Sequence, residues 1–219
     1  FDFDFDFDFD FDFDFDFDFD FDFDFDFDFD FDFDFDFDSQ PSIDKKLLDE
    51  LATLRFVSEG RCLILLGPPG TGKTHLAIAL ATLIVEQGKR AYFTTASDMV
   101  RKLNKAMSEN RLYRATQMLV HPSLLIIDEV GYLQLDKAEA SLLCQVICKR
   151  YDKNQPRIIT SNKAFSQWGD IFANDPVMAS AALDRLLHKS TVINIKGESY
   201  RLKEKKKAGI PLEGGDIVS

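Results

Sequence analysis

An α/β fold built on a parallel five-stranded sheet, flanked by helices and with little or no separate helical lid, is predicted by three features of the sequence. Compact apolar runs alternate with segments of helical period between residues 59 and 202. The first run leads straight into a glycine-rich loop, and the third ends in two adjacent carboxylates. A parallel sheet gathers such groups at the carboxyl ends of its strands, where open α/β sheets bind ligands.

The chain opens with 38 residues of strict Phe-Asp alternation, read as an artificial or low-complexity tract without a native role. On period alone the tract would put every ring on one face of a strand and every carboxylate on the other. It distorts the composition. The net charge of −12 reflects 26 Lys and Arg against 38 Asp and Glu, yet 19 of those acids and none of the cations lie in the tract. The remaining 181 residues therefore carry a formal charge of +7, a basic balance compatible with a polyanion such as DNA. Nineteen of the 23 Phe also belong to the tract, so the core rests on Leu, Ile, Val and Ala, and Trp168 alone offers no stacking platform.

Residues 39–58 read as a linker and leading helix, with Ile43, Leu47, Leu48, Leu51, Leu54 and Val57 at helical spacing. Strands are expected at Cys62–Leu66, Ala91–Thr95, Leu124–Ile127, Arg157–Thr160 and Thr191–Ile195. Helices are expected at Lys73–Gln87, Ser97–Val120, Lys137–Tyr151 and Pro176–Leu187. Residues 203–219 form a basic tail expected to be flexible. Cys62, Cys144 and Cys148 have no second CxxC or Cys/His cluster beside them and read as reduced core thiols. His75, His121 and His188 show no metal spacing. No apolar run approaches the roughly 20 residues a bilayer span needs, and no signal peptide stands at the start, so a cytoplasmic location without membrane contact is expected.

The strongest chemical signal is Gly67-Pro68-Pro69-Gly70-Thr71-Gly72-Lys73-Thr74, the complete GxxxxGK followed by Thr, placed between a buried strand and a helix. Glycines let backbone N–H groups turn inward around phosphates, and the helix aims its positive end at them. Lys73 supplies a point charge for the β- and γ-phosphates, and the Thr74 hydroxyl suits Mg²⁺. ATP or ADP with Mg²⁺ is thus the expected ligand. Asp128 is read as the second Mg²⁺ group and Glu129 as general base toward the attacking water. Thr160-Ser161-Asn162 ends the fourth strand beside the loop, where Asn162 suits the orientation of that water. Asp184-Arg185 lies on the last helix, and Arg185 reads either as a finger reaching a neighbouring subunit's γ-phosphate or as a partner of a nearby acid. Arg201, after the fifth strand, reads as a candidate second sensor in the same subunit.

The runs GPPGTGKTHLA, LLIIDEVG, TSN, LDRLLH and GESYR, with the leader QPSID and LDELATLRFV, resemble IstB, the insertion-sequence transposition helper ATPase, and its relative the helicase loader DnaC. The resemblance covers Gln40 to Arg201, and the leader and GESYR are its more specific parts. It implies an AAA+ P-loop NTPase fold, the loop through His75 around the nucleotide, Asp128 and Glu129 as the Walker B pair, Asn162 as sensor 1 and Arg185 as arginine finger. It also implies a homo-oligomer with nucleotide at subunit junctions, and a transposase as partner. In this clade a helical segment after the second strand touches DNA. The matching stretch here, Ser97 to Arg114, carries Arg101, Lys102, Lys105, Arg111 and Arg114, with 101/105 and 111/114 at one-turn spacings that let them share a face. Such a row would track phosphates on duplex DNA without reading bases. The competing expectations are a DnaC-like loader acting on single strands, a nucleotide-switched scaffold with little turnover and, more remotely, a small-molecule kinase.

Overall fold

The computed structural model describes residues 45–132, 134–197 and 199. The Phe-Asp tract, Arg201 and the basic tail lie outside the described residues. Five parallel strands, β1 (Cys62–Leu66), β2 (Ala91–Thr95), β3 (Leu124–Asp128), β4 (Arg157–Ser161) and β5 (Ser190–Asn194), form a sheet in the order β2-β3-β4-β1-β5. Helices α1 (Lys45–Ala52), α2 (Arg55–Ser58) and α3 (Lys73–Glu86) precede β2. Then come α4 (Ala96–Ser108), α5 (Leu112–Val120), α6 (Lys137–Asp152), α7 (Trp168–Ile171) and α8 (Pro176–Leu187).

The central strands are buried on both faces, which explains why they read as continuous apolar runs without alternation. Strand period 2 splits their side chains between two cores. Leu63, Leu65, Leu124, Ile126, Ile158 and Ile193 face one core with α1, α2 and α3. Ile64, Leu125, Ile127 and Ile159 face the other, with α4 to α8. Trp168 is fully buried in that second core, and its indole N–H donates to the Lys163 carbonyl at 3.3 Å.

Three expectations need correction. The leading helix is two helices, broken where Leu54 adopts a left-handed φ of 54°. The stretch 97–120 is also two, because α4 ends at Ser108 and the chain turns through Asn110 at φ 56°. The Asn110 and Arg111 amides close that turn onto Met107 and Ala106 carbonyls at 3.1 and 2.7 Å, the pattern of a helix ended by a left-handed residue. Finally, the short 3-10 turn Phe165–Gln167 and α7 occupy a segment that had no predicted element.

Two fully buried arginines fasten the strand-start end of the fold. Arg150 of α6 donates to the carbonyls of Leu119, Val120 and Pro122 at 2.9 to 3.3 Å and also to that of Pro156. Burial and, after it, the nearby Arg157 charge pull the Arg150 pKa down.

Candidate functional site

The glycine-rich loop leaves the tip of β1 and enters α3 at Gly72, whose φ of 87° makes it a left-handed helix cap. Gly70 is also left-handed, at φ 76°, and a Cβ there would strike the Ser199 side chain. A Cβ on Gly67 would strike the Ile195 carbonyl. The chain after β5 therefore returns across the loop and sets how closely its backbone packs, a contact that places Ser199 of the GESYR run at the site. The buried Thr71 hydroxyl donates to the Pro68 carbonyl at 2.8 Å, tying the loop across its own turn. Lys73 is buried, and its ammonium donates to the Gly67 and Pro68 carbonyls at 2.9 and 2.7 Å. Burial lowers its pKa, against which Asp128 and then Glu129 act. His75 is exposed on α3.

The sheet order puts β4 between the loop strand β1 and the carboxylate strand β3. Thr74 nonetheless reaches across: its hydroxyl lies 3.1 and 3.0 Å from the two oxygens of Asp128, which is buried. Thr160, on the strand between, donates to the same carboxylate and accepts the Glu129 amide at 3.0 Å. Glu129 itself is exposed and left-handed, at φ 58°. A non-glycine residue held there costs on the order of 1–3 kcal/mol, and such positions cluster at functional sites. Ser161 closes the tip by donating to the Val130 carbonyl at 2.6 Å, while its own carbonyl accepts the Gly67 amide at 3.2 Å. Exposed Asn162 follows directly, beside the start of the loop.

The structure thus brings Lys73, Thr74, Asp128, Glu129 and Asn162 to one end of the sheet, and adds Thr160, which the sequence reading missed. Only strand order and register reveal it, since Thr160 sits level with Asp128 on a strand not adjacent to it in sequence. Thr160→Val keeps the shape and removes both hydrogen bonds. It should cost ~1–3 kcal/mol, visible as a lower midpoint of thermal unfolding. An unchanged midpoint would show that neither bond matters.

Arg185 is not part of this group. Its guanidinium folds back to donate to the Ala181 carbonyl at 3.0 Å, and its own carbonyl accepts Arg157 Nη2 at 2.6 Å. Arg157 is the first residue of β4 and pairs with Cys62, the first of β1, whereas the loop follows the last residue of β1. Arg185 is therefore tied to the strand-start end, opposite its own phosphate loop.

The basic row is divided between two helices. Arg101, Lys102 and Lys105 are exposed on α4, Arg111 caps α5 and Arg114 is exposed one turn further. The shared face thus does not run along one helix. Arg101 pairs with Asp98 at 2.9 Å and Arg111 pairs with Glu109. The sulfurs of Cys144 and Cys148 lie 3.7 Å apart on α6, and burial pushes the Cys62 thiol up to about 11. Among the described residues no group of three or more His, Cys, Asp or Glu could hold a metal, and no helix is long and apolar enough to cross a membrane.

A family model described as IstB-like ATP binding protein matches residues 25–208. The IS21 insertion-sequence ATP-binding protein of Pseudomonas aeruginosa is 53% identical over 171 residues, covering 78% of this chain and 64% of the relative. The IS5376 ATP-binding protein of Geobacillus stearothermophilus is 49% identical over 168 residues, covering 77% and 66%. The chain thus spans just under two thirds of the length of these relatives. Among solved structures, the DnaC helicase loader matches with a TM-score of 0.58 at 25% identity, over 70% of this chain and 92% of that one. A replication initiator DnaA bound to AMPPCP and single-stranded DNA matches with a TM-score of 0.60 at 17% identity, over 78% and 55%, a likeness of fold alone.

Proposed function

The chain belongs to the IstB-like ATP-binding protein family, with an AAA+ P-loop fold, and from that premise we propose that it is a Mg²⁺-dependent ATPase that assembles on duplex DNA and assists a transposase. The observation that carries this reading is the separation of the machinery. Five groups suited to hydrolysis gather at one end of the sheet, while the finger Arg185 is anchored at the other. A site completed by a second copy of the chain accounts for both ends.

In this mechanism the loop amides and the α3 N-terminus hold the phosphates, and Lys73 neutralises the β- and γ-phosphate oxygens. Thr74 and Asp128 offer hard oxygens and would hold Mg²⁺, which takes few protein ligands beside phosphate and water. When bound, the ion offsets charge on the phosphates. Glu129 projects from the strand tip and accepts a proton as water oxygen attacks the γ-phosphorus and the bond to the bridging oxygen of ADP breaks. Asn162 orients that water. Arg185 of a neighbour stabilises the charge on the transferring group, so ATP favours the assembly and hydrolysis releases it.

The α4–α5 cations are the proposed DNA surface. Lys102 follows Arg101 and Lys105 stands one turn beyond it, both exposed on α4, while Arg101 and Arg111 pair with acids, so the two lysines are the cations to remove first. Lys102→Ala with Lys105→Ala should weaken duplex binding and reduce the slope of log K against log salt by about 1.8, measured in the presence of ATP. A slope and affinity equal to the parent's would remove this surface from the account. Comparing duplex with single strands at fixed salt separates the transposition helper from a loader that prefers single strands.

A further inference from the structure

We propose that Arg157 is a positioning residue for the finger, holding the end of α8 so that Arg185 meets the phosphate of the next subunit; this rests on the reading of Arg185 given above. Arg157 is 1% exposed at the start of β4. Its guanidinium faces no carboxylate in any described ion pair. Instead Nη2 donates to the Arg185 carbonyl at 2.6 Å and Nη1 to that of Gln155 at 3.3 Å, beside the buried Cys62 thiol. Burying a guanidinium is costly unless its donors are matched, and here the shortest match is the main chain of the finger residue. What the guanidinium adds is direction: a fixed donor aimed at the main chain of the finger residue itself.

The neighbouring contacts serve the same end. Arg157 lies over the Tyr151 ring at 5.9 Å, and the Tyr151 hydroxyl is 3.0 Å from Nδ1 of His188, the residue that caps α8. The last turn of α8 is thus held from α6 and β4 together, three residues apart along the helix. The other end of β4 carries Thr160 and Ser161 and leads into Asn162, beside the subunit's own phosphate loop. One five-residue strand therefore connects the group that reads a subunit's own γ-phosphate to the anchor of the finger it lends to its neighbour.

The test is complementation between inactive full-length chains, with DNA-stimulated ATP turnover as readout. Arg157→Gln alone should lose about 10²-fold in turnover, as misplacement of a reacting group by about 1 Å does, with binding of a fluorescent ATP analogue unchanged. Mixed with Glu129→Gln, it should regain turnover, because Glu129→Gln subunits lend intact fingers to Arg157→Gln sites that retain Glu129. Arg185→Ala mixed with Glu129→Gln is the control for the shared site. If neither mixture recovers, the shared site itself is wrong. If Arg185→Ala recovers and Arg157→Gln does not, the defect lies within its own site and the positioning role is overturned. Should Arg157→Gln fail to fold, Arg157→Lys takes its place, with the same recovery expected and the same failure overturning the proposal.

Discussion

Glu129→Gln is expected to slow ATP turnover by ~10²–10⁴-fold, the usual contribution of a positioned general base, while ATP binding survives. The substitution keeps the size of the side chain and its backbone, so the Glu129 amide still donates to Thr160 and the left-handed turn at φ 58° persists. Only the proton acceptor is lost. Because Lys73, Thr74 and Asp128 are untouched, the variant should accumulate as an ATP-bound assembly on DNA. Single-turnover hydrolysis with labelled ATP reads the chemical step apart from product release. A variant that hydrolyses at the parent's rate would remove Glu129 from the role of base.

Arg185→Ala should lower turnover by ~10³-fold or more, the range found for arginine fingers. Its effect has a different signature. The residue is tied to the strand-start end through the Arg157 contact, so the variant's own P-loop and carboxylate pair remain intact and ATP affinity at low protein concentration should not change. What should fail is the stimulation that appears as subunits meet. Loss of ATP binding in proportion to turnover would instead place Arg185 in its own nucleotide site. Asp184 precedes Arg185, but the guanidinium lies against the Ala181 carbonyl, so the variant removes a local main-chain contact, with no described ion pair lost.

Much of the fold and of the candidate site was legible from the residues. The central strands β1, β3 and β4 stood out as apolar runs because the sheet buries both their faces, and the Gly67 to Thr74 loop pointed to the ligand class through its glycines and its flanks. The Asp128-Glu129 pair followed from position at a strand tip. That the fourth strand ends beside the loop was legible, but its place between β1 and β3 was not, nor with it the role of Thr160: a threonine at the end of an apolar run carries no mark of the carboxylate that folding sets beside it. The break between α4 and α5 had a signal that helical periodicity hid, since Asn110 is the kind of residue that accepts the left-handed turn ending a helix. Leu54 carried no such signal, because leucine is not a residue that favours positive φ. The anchoring of Arg185 by Arg157 joins residues 28 positions apart, and no pattern of spacing points to it.

The catalytic site proposed for this chain is shared between copies assembled on DNA. The measurement that meets it most directly is steady-state ATP hydrolysis by the parent protein over a wide range of protein concentration, with and without duplex DNA. With a shared site, turnover per subunit rises with concentration and DNA shifts this rise to lower concentration. Turnover per subunit that is constant across the range and indifferent to DNA would mean a self-contained site and would rule out one shared between subunits.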